Sequence, residues 1–187
     1  AAPPAPPAAR PAAVWPSASD LERRLRAALP FLMAVFVVLV DLAPRPAGAG
    51  GGLAPFVTLA VVYFWSVYRP DLMTYPAVFA VGLVYDVLSG QPLGGTALAL
   101  LLGRGVLIAR QRFFDAKSFA VIWALFLLWA PAVELARYLA AASIVGAFVD
   151  PRPLVVQCAL TVALYPALSW VLVRLYGQVR VPAYAEP

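Results

Sequence analysis

Six long apolar blocks run through this sequence, each bounded by charged residues or by glycine and proline. Every block is close to, or slightly shorter than, the roughly 20 residues that an α-helix needs to cross a bilayer. The composition agrees, because 63% of the residues are hydrophobic and only 12% are charged, against about 25% charged in soluble domains. We therefore expect an all-α integral membrane protein. Its six predicted transmembrane helices cover residues 27–43, 53–68, 71–88, 94–109, 119–142 and 154–176.

Basic residues are unequally distributed between the two sides that six spans define. If the N-terminus lies inside, only Arg45 and Arg152 fall on outer loops, whereas ten bases fall on inner flanks. Those ten are Arg10, Arg23, Arg24, Arg26, Arg69, Arg110, Arg112, Lys117, Arg174 and Arg180. Because Lys and Arg accumulate on the cytoplasmic side of membrane proteins, both termini are predicted to be cytoplasmic. Bases spread over membrane flanks also argue against a nucleic-acid partner, which would require a clustered basic face.

The N-terminal region differs in character from the rest of the chain. Residues 1–18 are rich in proline and alanine, a composition that predicts a disordered tail. Ser19 and Glu22 then form a capping box ahead of leucines at helical spacing and three arginines, which predicts a short cytoplasmic amphipathic helix at 19–29. The arginines serve either surface docking or orientation alone, and one segment can do both. Residues 19–187 are expected to form a single membrane domain.

The apolar pattern is broken in one unusual place, between Gly82 and Gly103. Asp86 stands where only hydrocarbon is expected, and a polar turn from Ser89 to Gly95 follows before the apolar sequence resumes. The turn contains Gly90, Pro92, Gly94 and Gly95. These residue types permit positive φ, fix φ and end helices. We expect two membrane helices to meet here with almost no loop, on the outer side, and the glycines to permit close approach of their backbones.

Four charged residues, Asp86, Arg104, Glu134 and Arg137, lie well inside predicted spans, where charges are rare and usually face protein. For Arg104, near the inner end of its span, the favoured interpretation is that the side chain snorkels to the inner surface. Glu134 and Arg137 are one helical turn apart and are predicted to pair. Together with Asp86 they fall in the outer half of the membrane and form a predicted polar cluster. A salt bridge that only fixes orientation is favoured over a pocket that binds a solute.

Asp86 needs a partner, since an unpaired carboxylate at this depth is costly. Three candidates are Arg137, an unpaired N–H of the turn, and a basic group on another protein. We favour Arg137, because its guanidinium has room for two acceptors.

Several chemistries are excluded by what the sequence contains. There is no histidine and only one cysteine, Cys158, so the usual ligand sets for transition metals and haem are missing, as is the serine–histidine dyad. Asp86 is the one aspartate well inside a span, whereas an intramembrane aspartyl protease needs two at a shared site. No phosphate-binding glycine loop occurs. We expect no metal, no cofactor and no enzymatic activity.

The stretch around Asp86 resembles the MreD family of bacterial rod shape-determining membrane proteins, whose signature is G-L-x-x-D-x-x-S-G-x-P-L-G-x-x-A-L. This sequence matches it at Gly82, Leu83, Asp86, Ser89, Gly90, Pro92, Leu93, Gly94, Ala97 and Leu98. The resemblance implies a multi-pass subunit of the bacterial inner membrane that binds MreC. Through MreC it would contact the MreB cytoskeleton and the RodA-type polymerase with its transpeptidase, which carry out peptidoglycan synthesis. It also implies a six-helix bundle similar to the substrate-capture subunits of energy-coupling-factor transporters.

Two functions are consistent with these observations. The first is a non-catalytic, partner-binding subunit of the cell-elongation complex, in contact with membrane lipid. The alternative is a small-molecule capture subunit of a transporter, in which Asp86, Glu134 and Arg137 contact a polar solute. The outer loops favour the first, because they consist of glycine, alanine and proline with few groups that could close over a ligand.

Overall fold

The structure is a computed structural model that describes residues 18–43, 54–109, 119–146 and 150–179. For residues 18–27, 145 and 176–179 it describes the backbone alone. The tail predicted at the N-terminus, up to residue 17, therefore lies outside the described residues.

The described residues form six helices and no strand, so the all-α prediction is confirmed. The helices are α1 (Ala18–Asp41), α2 (Val57–Tyr68), α3 (Tyr75–Ser89), α4 (Gly95–Ala109), α5 (Phe119–Val145) and α6 (Arg152–Val179). Each apolar block corresponds to one helix. The predicted surface helix at 19–29 and the first span are one continuous helix, α1, which runs through Pro30.

The helices fall into two classes by length. Two apolar segments, Phe119–Ile144 and Arg152–Leu175, are long enough to cross a membrane by length and composition. The apolar helices elsewhere in the described ranges have 10–17 residues. Their segments are Ala28–Asp41, Val57–Tyr68, Tyr75–Ser89 and Gly95–Ala109.

Helix α2 lies at the centre of the bundle. Nine of its twelve residues are buried, because it packs against α1, α4, α5 and α6. The other helices are arranged around it, with α3 between α1 and α4, and α5 between α4 and α6. An apolar helix with neighbours on all sides needs no polar face, and the sequence of α2 has almost none.

An aromatic cluster fills the contact between α2, α5 and α6. The Tyr63 ring lies 4.8 Å from that of Phe126, 5.0 Å from that of Trp129 and 5.5 Å from that of Tyr165, centroid to centroid. The Tyr63 hydroxyl donates a hydrogen bond of 2.9 Å to the carbonyl of Ile122. Tilted rings at these separations have favourable geometry, so this cluster anchors the central helix.

Candidate functional site

The turn between α3 and α4 is built by glycines in left-handed conformations. Gly90 ends α3 with φ 67°, and its N–H donates to the Asp86 carbonyl. Gly94, with φ 92°, directly precedes α4. Both values lie in the region that glycine adopts at little steric cost. The predicted tight turn is therefore present, and its tip consists of Gln91, Pro92 and Leu93.

The close approach between α3 and α4 occurs at Gly82. A Cβ added to Gly82 would lie 2.4 Å from the Cα of Ala97, closer than real Cβ atoms come to other heavy atoms. A Cβ added to Gly90 or Gly94 would have no heavy atom within 4 Å, and one added to Gly95 would make an ordinary contact with Ala140. The prediction that the turn glycines permit the close approach is therefore wrong. They shape the chain reversal, and Gly82 permits the packing.

Asp86 caps the N-terminus of α4. Its Oδ2 accepts hydrogen bonds from the N–H groups of Gly94 (2.9 Å) and Ala97 (3.4 Å), and its Oδ1 accepts one from Thr96 (3.2 Å). The first N–H groups of a helix have no partner within the helix, and its N-terminus attracts negative charge. Our prediction that Arg137 is the partner of Asp86 is wrong, because the carboxylate is bonded instead to N–H groups of the turn and the start of α4.

A second aspartate does the same for α2. Asp41, the last residue of α1, accepts hydrogen bonds from the N–H of Val57 (3.3 Å), the N–H of Thr58 (2.8 Å) and the Thr58 hydroxyl (2.7 Å). Phe56, at the N-cap position, offers no side-chain cap of its own. The sequence analysis missed this role. Two signals were available, a carboxylate at the end of one apolar block and a following helix without a capping residue.

The Glu134–Arg137 pair is present, as predicted. Arg137 donates from Nη2 (2.8 Å) and Nε (3.2 Å) to Oε2 of Glu134, and from Nη2 to Oε1 of Gln157 (3.3 Å). The guanidinium carbon lies 4.8 Å from the Phe56 ring centroid and 5.9 Å from that of Tyr85. Residues of α3, α5 and α6 and the residue preceding α2 therefore meet around one buried cation.

Arg104 is in a different place from the one expected. It is only 3% exposed, so the prediction that its guanidinium snorkels into open solvent is wrong, although the side chain extends to the turn that follows α2. Its Nη2 donates to the carbonyl of Pro70 (2.9 Å) and its Nη1 to the hydroxyl of Ser66 (3.4 Å). Ser66 lies in the last turn of α2, and Pro70 follows that helix. Phe56, which contacts Arg137, precedes the same helix. Because the two arginines contact opposite ends of α2, which is about 18 Å long, Arg104 does not belong to the Glu134–Arg137 cluster.

A comparison with protein families identifies the chain. The family model described as rod shape-determining protein MreD matches residues 22–175, which include the α3–α4 hairpin, Arg104 and the Glu134–Arg137 pair. The chain belongs to the MreD family. No curated protein and no solved structure matches it. Membership makes the chain a rod shape-determining membrane protein, of a family with a structural role and no known enzymatic activity.

In this MreD-family chain, α4 and α5 enclose an apolar groove of about 470 Å³. Small residues four apart line it on both helices, Ala99 and Gly103 on α4 and Ala132 and Ala136 on α5. The Trp129 indole N–H donates to the Gly103 carbonyl (3.0 Å) and holds the two helices together. Such a groove offers apolar contact and no polar recognition.

The turn between α2 and α3 carries an ion pair on the surface of this MreD-family bundle. Arg69 and Asp71 approach to 2.9 Å and form parallel hydrogen bonds. The Arg69 hydrogen bond lowers the pKa of Asp71 below its usual value. Because both side chains are largely exposed, water and salt weaken the pair. Among the described residues, no group of three or more Cys, Asp or Glu side chains is placed to hold a metal ion.

Proposed function

We propose that this chain is a non-catalytic membrane subunit of the cell-elongation complex, which binds MreC and so helps to organise peptidoglycan synthesis. It would meet MreB and the RodA-type polymerase with its transpeptidase indirectly. The observation that carries the proposal is that the fully buried Asp86 carboxylate accepts three backbone hydrogen bonds inside the fold. The most distinctive polar residue of the chain thus builds the hairpin and is not available to bind a substrate.

The second candidate, a capture subunit for a small polar molecule, has one observation in its favour. Oε1 of Glu134 is buried and has no hydrogen-bond partner among the described residues. The other two residues of this candidate site already have partners. Arg137 donates hydrogen bonds to Glu134 and Gln157, and Asp86 accepts hydrogen bonds from backbone N–H groups. The described groove is apolar, whereas a polar solute needs convergent donors and acceptors. We therefore favour the partner-binding function.

The groove between α4 and α5 is the surface that we assign to a membrane helix of MreC. In lipid, helices associate by close packing, because the hydrocarbon around them is as apolar as their side chains. Small residues on the groove walls allow another backbone to approach closely. Leu102 on α4 and Leu128 on α5 are both exposed at the groove and would flank such a helix.

Co-purification with MreC tests this proposal. Ala132→Trp fills the groove from an exposed position, and we expect it to reduce the recovery of MreC strongly without lowering the melting temperature of the isolated protein. Val173→Trp places the same side chain on an exposed part of α6 and serves as the matched control. Loss of MreC from both variants, or from neither, would reject the groove as the contact. If the wild-type chain does not retain MreC at all, the proposed function itself fails.

We also propose that all six helices cross the inner membrane, with both termini in the cytoplasm, as a single domain similar to the capture subunits of energy-coupling-factor transporters. The unequal distribution of bases supports this topology, which would place the α3–α4 turn on the outer side. Reporter fusions after Arg112 and after Arg180 should give a cytoplasmic signal, and a reporter inserted at Gly48–Gly52 should give an external one. An external signal at Arg180 would contradict the six-span topology.

A further inference from the structure

Arg104 is a buried cation without an anionic partner among the described residues. Its described hydrogen-bond acceptors, the Pro70 carbonyl and the Ser66 hydroxyl, are both neutral. Its Nε is buried and has no hydrogen-bond partner in the described part of the chain. Buried charges are normally paired, because a cation removed from water loses a large hydration energy. Arg137, by comparison, has Glu134. Within the described ranges, Arg104 therefore has no negative group beside it.

The N-terminus of α3 lies beside this guanidinium and lacks a negative group as well. Thr74 occupies the N-cap position of this 15-residue helix but makes no side-chain hydrogen bond. The ring of Tyr75, the first residue of α3, lies 5.0 Å from the guanidinium carbon of Arg104. In contrast, α2 and α4 begin at carboxylates, those of Asp41 and Asp86. A helix N-terminus and a buried arginine thus present positive potential to the same place.

The neighbouring carboxylate does not fill this place. Asp71 is engaged by Arg69 at 2.9 Å, and its side chain is 59% exposed. The ring that covers Arg104 is itself accessible, since Tyr75 is 46% exposed. A ligand that approached Arg104 from this side would displace that ring.

We propose that Arg104 and the N-terminus of α3 bind the phosphate of an anionic phospholipid from the cytoplasmic leaflet. The inference uses the membrane orientation proposed above, which places the α2–α3 turn at the cytoplasmic surface, and it does not depend on MreC. The planar guanidinium matches the geometry of phosphate oxygens. The N–H of Tyr75 supplies a further donor at the helix start, whereas Pro76 supplies none. Tyr68 and Phe79, both exposed, offer apolar contact to the lipid beside this turn.

Thermal melting of the full chain in neutral detergent tests the proposal. Added phosphatidylglycerol should raise the melting temperature, and phosphatidylcholine should raise it less. The Arg104→Gln variant should bind phosphatidylglycerol roughly tenfold more weakly, because one hydrogen bond to a charged group is lost. Arg69→Gln is the control, because it removes an exposed charge from the same turn and should retain the response. An equal loss in both variants would mean general attraction to a basic surface and would overturn the proposal. Inorganic phosphate that reproduced the whole effect would overturn the assignment to a lipid.

A second pair of variants keeps Arg104 and does not depend on how Arg104→Gln folds. Thr74→Asp supplies a carboxylate cap to α3 beside the guanidinium, so it should raise the melting temperature without lipid and abolish the response to phosphatidylglycerol. Thr74→Asn supplies a neutral cap and should keep most of that response. A full lipid response in Thr74→Asp would refute the site.

Discussion

The replacement of Asp86 by asparagine isolates the contribution of its charge to the α3–α4 hairpin. The side chain keeps its size, and one oxygen remains to accept from the Gly94 and Ala97 N–H groups, as Oδ2 does now. The new amide group then faces the Thr96 N–H, which donates to Oδ1 at 3.2 Å in the native protein. A hydrogen bond to a charged group contributes about 1.5–3 kcal/mol, and charge at a helix N-terminus about 0.3–1 kcal/mol. Since the lost bond is long, we expect the free energy of unfolding to fall by about 2 kcal/mol.

Equilibrium unfolding of the purified protein in detergent, followed by the signal of its tryptophans, measures this loss. The control is Asp71→Asn, the same substitution at an exposed ion pair, which should reduce stability by less than about 1 kcal/mol. Asp86→Ala removes both oxygens and should cost about 3 kcal/mol or more. Equal effects of Asp86→Asn and Asp71→Asn would refute the capping role, and with it our reasoning about the hairpin.

The same assay distinguishes the observed contacts of Asp86 from the salt bridge that the sequence suggested. Asp86 and Arg137 use different partners, so the effects of Asp86→Asn and Arg137→Gln should add to within about 0.5 kcal/mol. A coupling energy above about 1 kcal/mol would show that the two side chains interact after all.

Three further perturbations have defined outcomes. Gly82→Ala should prevent correct folding or lower the melting temperature sharply, because its Cβ would meet the α4 backbone at 2.4 Å. Gly105→Ala is the control and should be neutral or slightly stabilising, because an added Cβ there lies in open space on a helix. Arg137→Met should reduce the free energy of unfolding by about 3–5 kcal/mol, because Glu134 is left buried and unpaired, and adding Glu134→Gln should restore part of the loss. The ion pair in the α2–α3 turn lowers the pKa of Asp71 in the folded protein. The small contribution of this pair to the free energy of unfolding is therefore present above the unfolded pKa of about 3.9 and is lost as pH falls through the folded pKa. Asp71→Asn should remove that part of the pH dependence, measured by unfolding at successive pH values.

Most of the fold was predictable from the sequence because helices in a membrane protein follow apolar length. The six apolar blocks match the six helices to within a few residues, except at α1, where the structure continues an amphipathic segment into the apolar one. The Glu134–Arg137 pair was predictable for a similar reason, since a spacing of three fixes two side chains on one face of one helix. Both inferences use information that is local in the chain.

The errors arose where the partner lies on another helix. Asp86 was matched to Arg137 by charge, although backbone N–H groups only eight to eleven residues further along the chain were the nearer donors. Depth along a span does not tell which way a side chain faces, so the burial of Arg104 against the end of α2 was not foreseen. The role of Gly82 also depends on the crossing of two helices, and the sequence does not give the point where they touch.

The unequal lengths of the helices have a consequence for the surrounding bilayer. The 15-residue helices α3 and α4 are roughly 22 Å long, while α5 and α6, with 27 and 28 residues, are each about 40 Å long. A hydrocarbon layer of about 30 Å does not match both sides of such a bundle. In the six-span topology, lipids next to α3 and α4 are compressed, and those next to α5 and α6 meet helices that must tilt or protrude. In that topology the bundle would impose a thickness gradient on its membrane and would favour neighbours with short apolar segments beside the α3–α4 hairpin.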